Sequence, residues 1–292
     1  MRRHPPHLAI ALACAALASG CAPDDASPPA VVAQSADAME VSTQESALLM
    51  AVGRAIEAPR SSADRVGDAI ARATQQTADL FGAGCNRTVT REGANGLSVR
   101  LRECNGGLGL RAITGELHYG FEFTADGSLR ITVRLNAGEA LRVGGARITE
   151  LDSSALVRLA PGLFSLTIER SAYTAVGARG QYLHREVSPP GDPSPLRATW
   201  TPAGACFGLS GAWRVRVGPS AARTRSLRVA VSRYRRCGGA CPALADDAVV
   251  VTDESPDGGV NTFTLSFLGA STATWTTTSP PASGTVPLNG MN

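Results

Sequence analysis

The chain has 292 residues, 43% of them hydrophobic and only 5% aromatic, with 28 Lys plus Arg against 25 Asp plus Glu for a formal net charge of +3. That length supports one large core or two modest ones, and the near-neutral balance excludes the electrostatic footprint of a nucleic-acid partner. Every basic residue is Arg, which removes the P-loop lysine, Schiff-base chemistry and Lys–Asn isopeptide bonds from consideration.

The N-terminus is organised as a secretory signal. Arg2 and Arg3 precede an apolar run from Leu8 to Leu17, and the small residues Ala18, Ser19 and Gly20 stand directly before Cys21. The run is too short to cross about 30 Å of hydrocarbon, and no later segment approaches the roughly 20 apolar residues required. The segment Leu17-Ala18-Ser19-Gly20-Cys21 resembles the bacterial lipobox, with Ala18 where Leu is commoner. That resemblance implies removal of residues 1–20 and attachment of lipid at Cys21. Two or three acyl chains, at about 0.8 kcal/mol per buried CH₂, hold a protein on a bilayer almost permanently. In enteric lipoprotein sorting, Asp immediately after the acylated cysteine retains the protein at the inner membrane. Ala22 occupies that place, so the resemblance implies the outer membrane. His4-Pro5-Pro6 breaks the twin-arginine pattern after Arg2-Arg3, which favours general secretion and folding after export.

Residues 21–38 are rich in Asp, Pro, Ser and Ala without a hydrophobic period and are expected to form a disordered tether. A helical pair is expected over 39–82. Its first helix runs from Thr43 to Ala58 and is interrupted by Pro59. The second starts near Ser62, with Val66, Ile70, Ala73, Thr77 and Leu80 near one face. From Cys85 the period changes to alternation. Leu97-Val99-Leu101, Tyr119-Phe121-Phe123 and Leu129-Ile131-Val133-Leu135 each share a face. So do Phe164-Leu166-Ile168, Trp213-Val215-Val217, Leu227-Val229-Val231 and Phe263-Leu265-Phe267. The fold class expected is mainly β (α+β), with the helical pair packed on an extended, twisted antiparallel meander that is half buried and half wet. Its first β region covers 83–187 and its second 196–278, separated by a Pro-rich loop at 188–195. That loop is read as a seam in one sheet, with two β domains as the alternative. Residues 279–292, rich in Pro, Gly and Thr, are expected to be a loose tail.

Cys14 leaves with the signal. Beyond Cys21 there remain Cys85, Cys104, Cys206, Cys237 and Cys241, an odd number in an oxidising compartment. Cys85 and Cys104 bracket a hairpin turned at Gly93-Ala94-Asn95-Gly96, which makes them natural partners. Cys206 and Cys237 are symmetric about a turn near Ala221-Ala222, but direct pairing sets Val215 opposite Arg228. A one-residue bulge at Gly208 or Gly211 would restore the apolar face. Alternatively Cys241 closes a small loop with Cys237 and leaves Cys206 free.

Catalytic and cofactor patterns are sparse. His118 and His184 are the only histidines past the signal, too few for a His-built metal site, so no metal or cofactor is expected. Cys237 and Cys241 have C-x-x-x-C spacing, unlike a redox C-x-x-C. Gly107 to Ala112 matches a dinucleotide fingerprint by letter but is followed by strand where that motif must open a helix. Ser210 lies outside any G-x-S-x-G and is read as a turn or bulge serine. Asp253 to Gly258 departs from calcium-loop spacing. The arginines at 223, 225, 228, 233, 235 and 236 read as a solvated strand face, with an anion patch as the alternative.

The layout as a whole, with Cys206 to Trp213 and Arg236 to Pro242 as its specific residues, resembles outer-membrane lipoproteins of GC-rich proteobacteria, the myxobacterial kind especially. The resemblance implies an architecture and no activity. The expectation is a lipid-anchored, non-catalytic envelope protein, structural or interacting, whose partner is the membrane through its N-terminal acyl chains. The alternative is a carrier of lipid or another apolar ligand, since a curved sheet with helices on its concave face resembles the lipoprotein-localisation carriers of the outer membrane.

Overall fold

The computed structural model describes residues 29–54, 85–105, 112–126, 128–160, 163–186, 195–201, 206–237, 249–254, 262–267, 272–278 and 281–287. Cys21, Cys241, the helix expected from Ser62 and most of the Pro-rich loop lie outside them. The elements are one helix, α1 (Ala30–Arg54), and fifteen strands: β1 (Asn86–Glu92), β2 (Gly96–Cys104), β3 (Ile113–Phe123), β4 (Leu129–Arg134), β5 (Leu141–Val143), β6 (Ala146–Ala160), β7 (Leu163–Val176), β8 (Tyr182–Glu186), β9 (Arg197–Thr201), β10 (Cys206–Ser220), β11 (Arg223–Cys237), β12 (Val249–Asp253), β13 (Thr262–Phe267), β14 (Thr272–Thr278) and β15 (Pro281–Pro287).

All fifteen strands belong to a single sheet, and every pairing is antiparallel. The alternation read from the sequence is realised in burial. Leu97, Val99, Leu101, Ile131, Val133, Leu166, Val215, Leu227, Val229 and Leu265 all lie inside, while Arg130, Thr132 and Arg134 take the other face. Phe123 departs from this pattern and is 44% exposed at its strand end. The edges are unsuited to further pairing. β1 reads Asn-Arg-Thr-Val-Thr-Arg-Glu, and β15 carries Pro at both ends.

α1 packs against β4, β6, β7, β9, β10 and β15, and from Ser35 to Met50 every residue but Glu40 is buried. This corrects the tether expected over 21–38, because residues 30–38 are helical and Val32, Ala36 and Ala38 are core. The physical reason is the enclosure itself. A helix with one wet face shows a 3.6-residue hydrophobic period, and one wrapped on every side has no wet face to write that period. Its hydroxyls are satisfied locally, Ser35 donating to the Val31 carbonyl at 2.7 Å and Thr43 to that of Met39 at 2.8 Å. The loose tail expected over 279–292 is corrected likewise. Residues 281–287 form β15, paired along their length with β14, and Val286 is fully buried.

The seam at 188–195 does not divide two domains. β8 and β9 run in the same direction, and both pair with β7 on one side and β10 on the other. They are two halves of one strand position. Opposite the interruption, the β10–β11 pairing carries a register shift between Leu209 and Gly211. Gly211 has φ +112°, and a Cβ there would run into the Pro195 carbonyl oxygen and the Leu196 Cα. Only glycine allows the two backbones to approach this closely. Gly211→Ala is expected to lower the unfolding free energy by about 2–3 kcal/mol, from backbone strain plus the clash, measured by urea denaturation.

Candidate functional site

The disulfide between Cys85 and Cys104 ties the entry of β1 to the end of β2. Cys206 is also disulfide-bonded, and in the ladder it stands opposite Cys237. Between the Leu209–Tyr234 and Gly211–Val231 pairs, β11 has two residues, Ser232 and Arg233, opposite the single Ser210 of β10. The extra residue therefore lies in β11, which corrects the bulge expected at Gly208 or Gly211. Ser210 keeps its pairing with Arg197, and the shift brings Val215 opposite Leu227. That is the rearrangement the apolar face requires.

Within the sheet, α1 carries a charged residue into the core. Glu45 is fully buried, and its Oε2 accepts a hydrogen bond from Nη2 of Arg185, also fully buried, at 2.5 Å. The same Nη2 donates to Ser171. Ser153 donates to Ser171 at 2.9 Å, and Ser171 donates onward to Oε1 of Glu45 at 3.2 Å. The guanidinium lies 4.8 Å over the Tyr173 ring, whose hydroxyl meets Ser42 of α1 at 3.1 Å. Burial pushes the Tyr173 hydroxyl above its ordinary range. Burial and the negative charge of Glu45 do the same to Tyr119, so both phenols stay neutral. Among the described residues, Nε and Nη1 of Arg185 and the Tyr119 hydroxyl have no hydrogen-bond partner.

None of these residues was singled out by sequence reasoning. One signal was available. In Tyr182-Leu183-His184-Arg185-Glu186, Arg185 has the inward parity of Leu183, so it calls for a buried anion. Glu45, in the run from Val41 to Met50, is the matching charge. The two are 140 residues apart in sequence.

Near the start of α1, Arg179 in the β7–β8 turn straps several elements together. It pairs with buried Asp37, donates to the Ala33 carbonyl at 3.1 Å, and donates to the Pro287 carbonyl of β15 at 2.5 Å. Gln181 adds a second bond to Asp37. Between α1 and the β5–β6 turn, residues such as Val41, Gln44, Gly144 and Ala178 enclose only about 10 Å³, no more than one water needs.

On the outer face, both histidines have carboxylate partners. His118 contacts Glu92 through Nδ1 at 2.7 Å and Glu139 through Nε2 at 3.1 Å. His184 contacts Thr174 through Nδ1 at 2.9 Å and Glu186 through Nε2 at 2.9 Å. Thr174 donates its own proton to Glu150 at 2.7 Å. The hydroxyl is therefore committed to a carboxylate and is not activated by the imidazole. A groove of about 470 Å³ runs between the two histidine networks, lined by Asn136, Glu150, Asp152, Thr174 and His184 among others. Among the described residues, no three His, Cys, Asp or Glu side chains converge as metal ligands.

Replacing Arg185 with Met leaves Glu45 buried and unpaired, with an expected loss of about 3–5 kcal/mol. The double variant Glu45→Met/Arg185→Met should recover most of it, because well-packed apolar residues substitute for a buried pair at little cost. Equilibrium denaturation of the two single variants and the double variant reads this out. A pH effect follows from Glu139. Burial works to raise its pKa but is outweighed by the Asn136 backbone N–H and by His118, so the carboxylate lies below its ordinary value. Such a group stabilises the fold fully above its unfolded pKa of about 4.3, and the contribution is lost as pH falls through the depressed folded value. Loosening of the 135–139 loop is thus expected below about pH 4, visible as faster amide exchange there relative to β6.

In comparisons with protein families, curated proteins and solved structures, no family model, curated protein or solved structure matches the chain.

Proposed function

We propose that the chain is a lipid-anchored cell-envelope protein with a non-catalytic, structural or interaction role, held at the bacterial outer membrane through acylated Cys21. The observation that carries this reading is the enclosure of α1. The apolar face a carrier would offer to a ligand is occupied by the protein's own helix, locked in place by Glu45 and Arg185. Three cavities of more than 400 Å³ lined by described residues are open grooves, one of them on the outer face beside the histidines. A pocket for an apolar ligand is instead closed and apolar, with a few placed polar groups. Attachment rests on the Leu17 to Cys21 segment, and Ala22 supports the outer-membrane address. Among the described residues no helix is long and apolar enough to cross a membrane.

Mass spectrometry of the native full-length product tests this directly. The expected result is an N-terminal peptide beginning at Cys21 with acyl mass, a Cys85–Cys104 crosslink and no stoichiometric apolar ligand. An unacylated N-terminus overturns the anchor, and a lipid released one-to-one on unfolding overturns the non-carrier role.

A further inference from the structure

Because α1 begins at Ala30, the segment between Cys21 and the folded chain is far shorter than the expected tether. Residues 22–28 separate Cys21 from Pro29. Eight Cα–Cα steps reach at most about 29 Å. That limit decides which end of the fold can meet the membrane.

The start of α1 lies at one end of the sheet, where Ala33 and Asp37 meet Arg179 of the β7–β8 turn and Pro29 to Gln34 meet the β10–β11 hairpin. From there the helix runs down β7, Ser42 meeting Tyr173 and Glu45 meeting Ser171. The opposite end carries the β6–β7 hairpin at Leu163 and the β3–β4 turn, whose Leu129 pairs with Val157 of β6. β7 has 14 residues, so those turns lie about 45 Å away along the strand. An anchor limited to about 29 Å cannot let the fold stand on those turns with the start of α1 pointing away from the bilayer.

Charge agrees with this placement. At the near end Arg223 and Arg225 are exposed, and Arg223 has no ion pair among the described residues. The neighbouring carboxylates Asp37 and Asp253 are buried and bonded to Arg179 and Arg225. Beneath the two exposed arginines, Pro29, Val31, Val217 and Pro219 line an open groove of about 460 Å³. At the far end Asp126 is exposed, and hydrogen bonds from Thr124 and Ser128 hold its carboxyl below the usual range, so it stays anionic. Exposed arginines also stand toward that end, Arg158 beside the β6–β7 hairpin and Arg233 and Arg235 on β11, so charge alone does not choose between the ends. The short anchor does, and Arg223 and Arg225 are the cations that it brings to an anionic headgroup layer.

We propose that the end of the fold formed by the start of α1, the β7–β8 turn and the β10–β11 hairpin is a membrane-docking surface that takes phosphate-bearing lipid headgroups through Arg223 and Arg225. This rests on the acyl-anchor reading, and the two can fail separately. The test uses the acylated full-length protein on phosphatidylethanolamine/phosphatidylglycerol vesicles, with amide hydrogen exchange compared between these and neutral phosphatidylcholine vesicles. Exchange across residues 219–224 is expected to slow at least about five-fold on the anionic vesicles, with 124–126 unchanged, because docking removes those amides from water. Arg223→Glu, an exposed and unpaired site, is expected to abolish most of that slowing while the protein stays vesicle-bound. Slowing at 124–126 instead, equal exchange at both ends, or full protection in Arg223→Glu overturns the docking surface. Absence of acyl mass on the N-terminal peptide, measured beforehand on the same sample, overturns the anchor reading.

Discussion

The placement of α1 depends on one buried ion pair. Taking a carboxylate and a guanidinium out of water costs several kcal/mol per ion, and neither is tolerable in the core without the other. Here Nη2 of Arg185 carries the bonds, to Glu45 and Ser171, with the Tyr173 ring against the guanidinium. Much of the helix surface is small residues, Ala36, Ala38, Ser42, Ser46 and Ala47 among them, and small side chains discriminate poorly between neighbouring helix settings. Glu45 does discriminate. A slip of one residue turns the helix by about 100°, which would carry the carboxylate away from Ser171 and Arg185 and leave both charges alone in the core. The pair thus sets the rotation and depth of α1, and through α1 the surface on which β4, β6, β7, β9, β10 and β15 pack. An arginine suits the place better than a lysine, because a planar guanidinium can lie over Tyr173 while one nitrogen serves two acceptors.

What could be read in the sequence follows from what each element faces. Most strands were legible because one side is wet, so Leu129-Ile131-Val133 against Arg130-Thr132-Arg134 declares both the period and the inward face. The need for a bulge between β10 and β11 was legible for a related reason, since pairing Cys206 with Cys237 and keeping Val215 in the core are compatible only with one extra residue. The strand that carries it was not, and it is β11 rather than Gly208 or Gly211 of β10. Residues 30–38 were not legible, since a helix enclosed on every side carries no alternation of polarity. β15 was obscured by Pro281, Gly284 and Pro287, which mark loops in most settings and here fit an edge strand with one buried residue, Val286. At the candidate site, the Cys85–Cys104 bracket could be read from a single hairpin. The Glu45–Arg185 contact could not, because no local pattern links residues 140 positions apart.

The interruption between β8 and β9 shows how the sheet accommodates a long insertion without becoming two domains. β7 and β10 continue past the gap, and each pairs with both half-strands. Continuity is kept by backbone contact at the break, where the Ile168 amide donates to the Leu196 carbonyl and Gly211 admits the Pro195–Leu196 backbone. The Pro-rich segment can therefore vary in length with modest effect on the core, whereas the glycine across from it cannot vary in kind.

Enclosure of an N-terminal helix also constrains the order of assembly. α1 precedes every described strand, yet its packing includes β15, more than 200 residues on, and the Arg179 strap to Pro287 involves the last described strand. Contacts of such sequence separation form slowly, since loop closure must precede the interactions that reward it. Glu45 can leave water only once Ser171 of β7 and Arg185 of β8 are in place to receive it. On the proposed anchor, the same helix that must wait for the final strand emerges beside the bilayer. Closing the sheet and fixing the orientation of the domain are then parts of one event, completed where Arg179 joins the helix, the β7–β8 turn and β15.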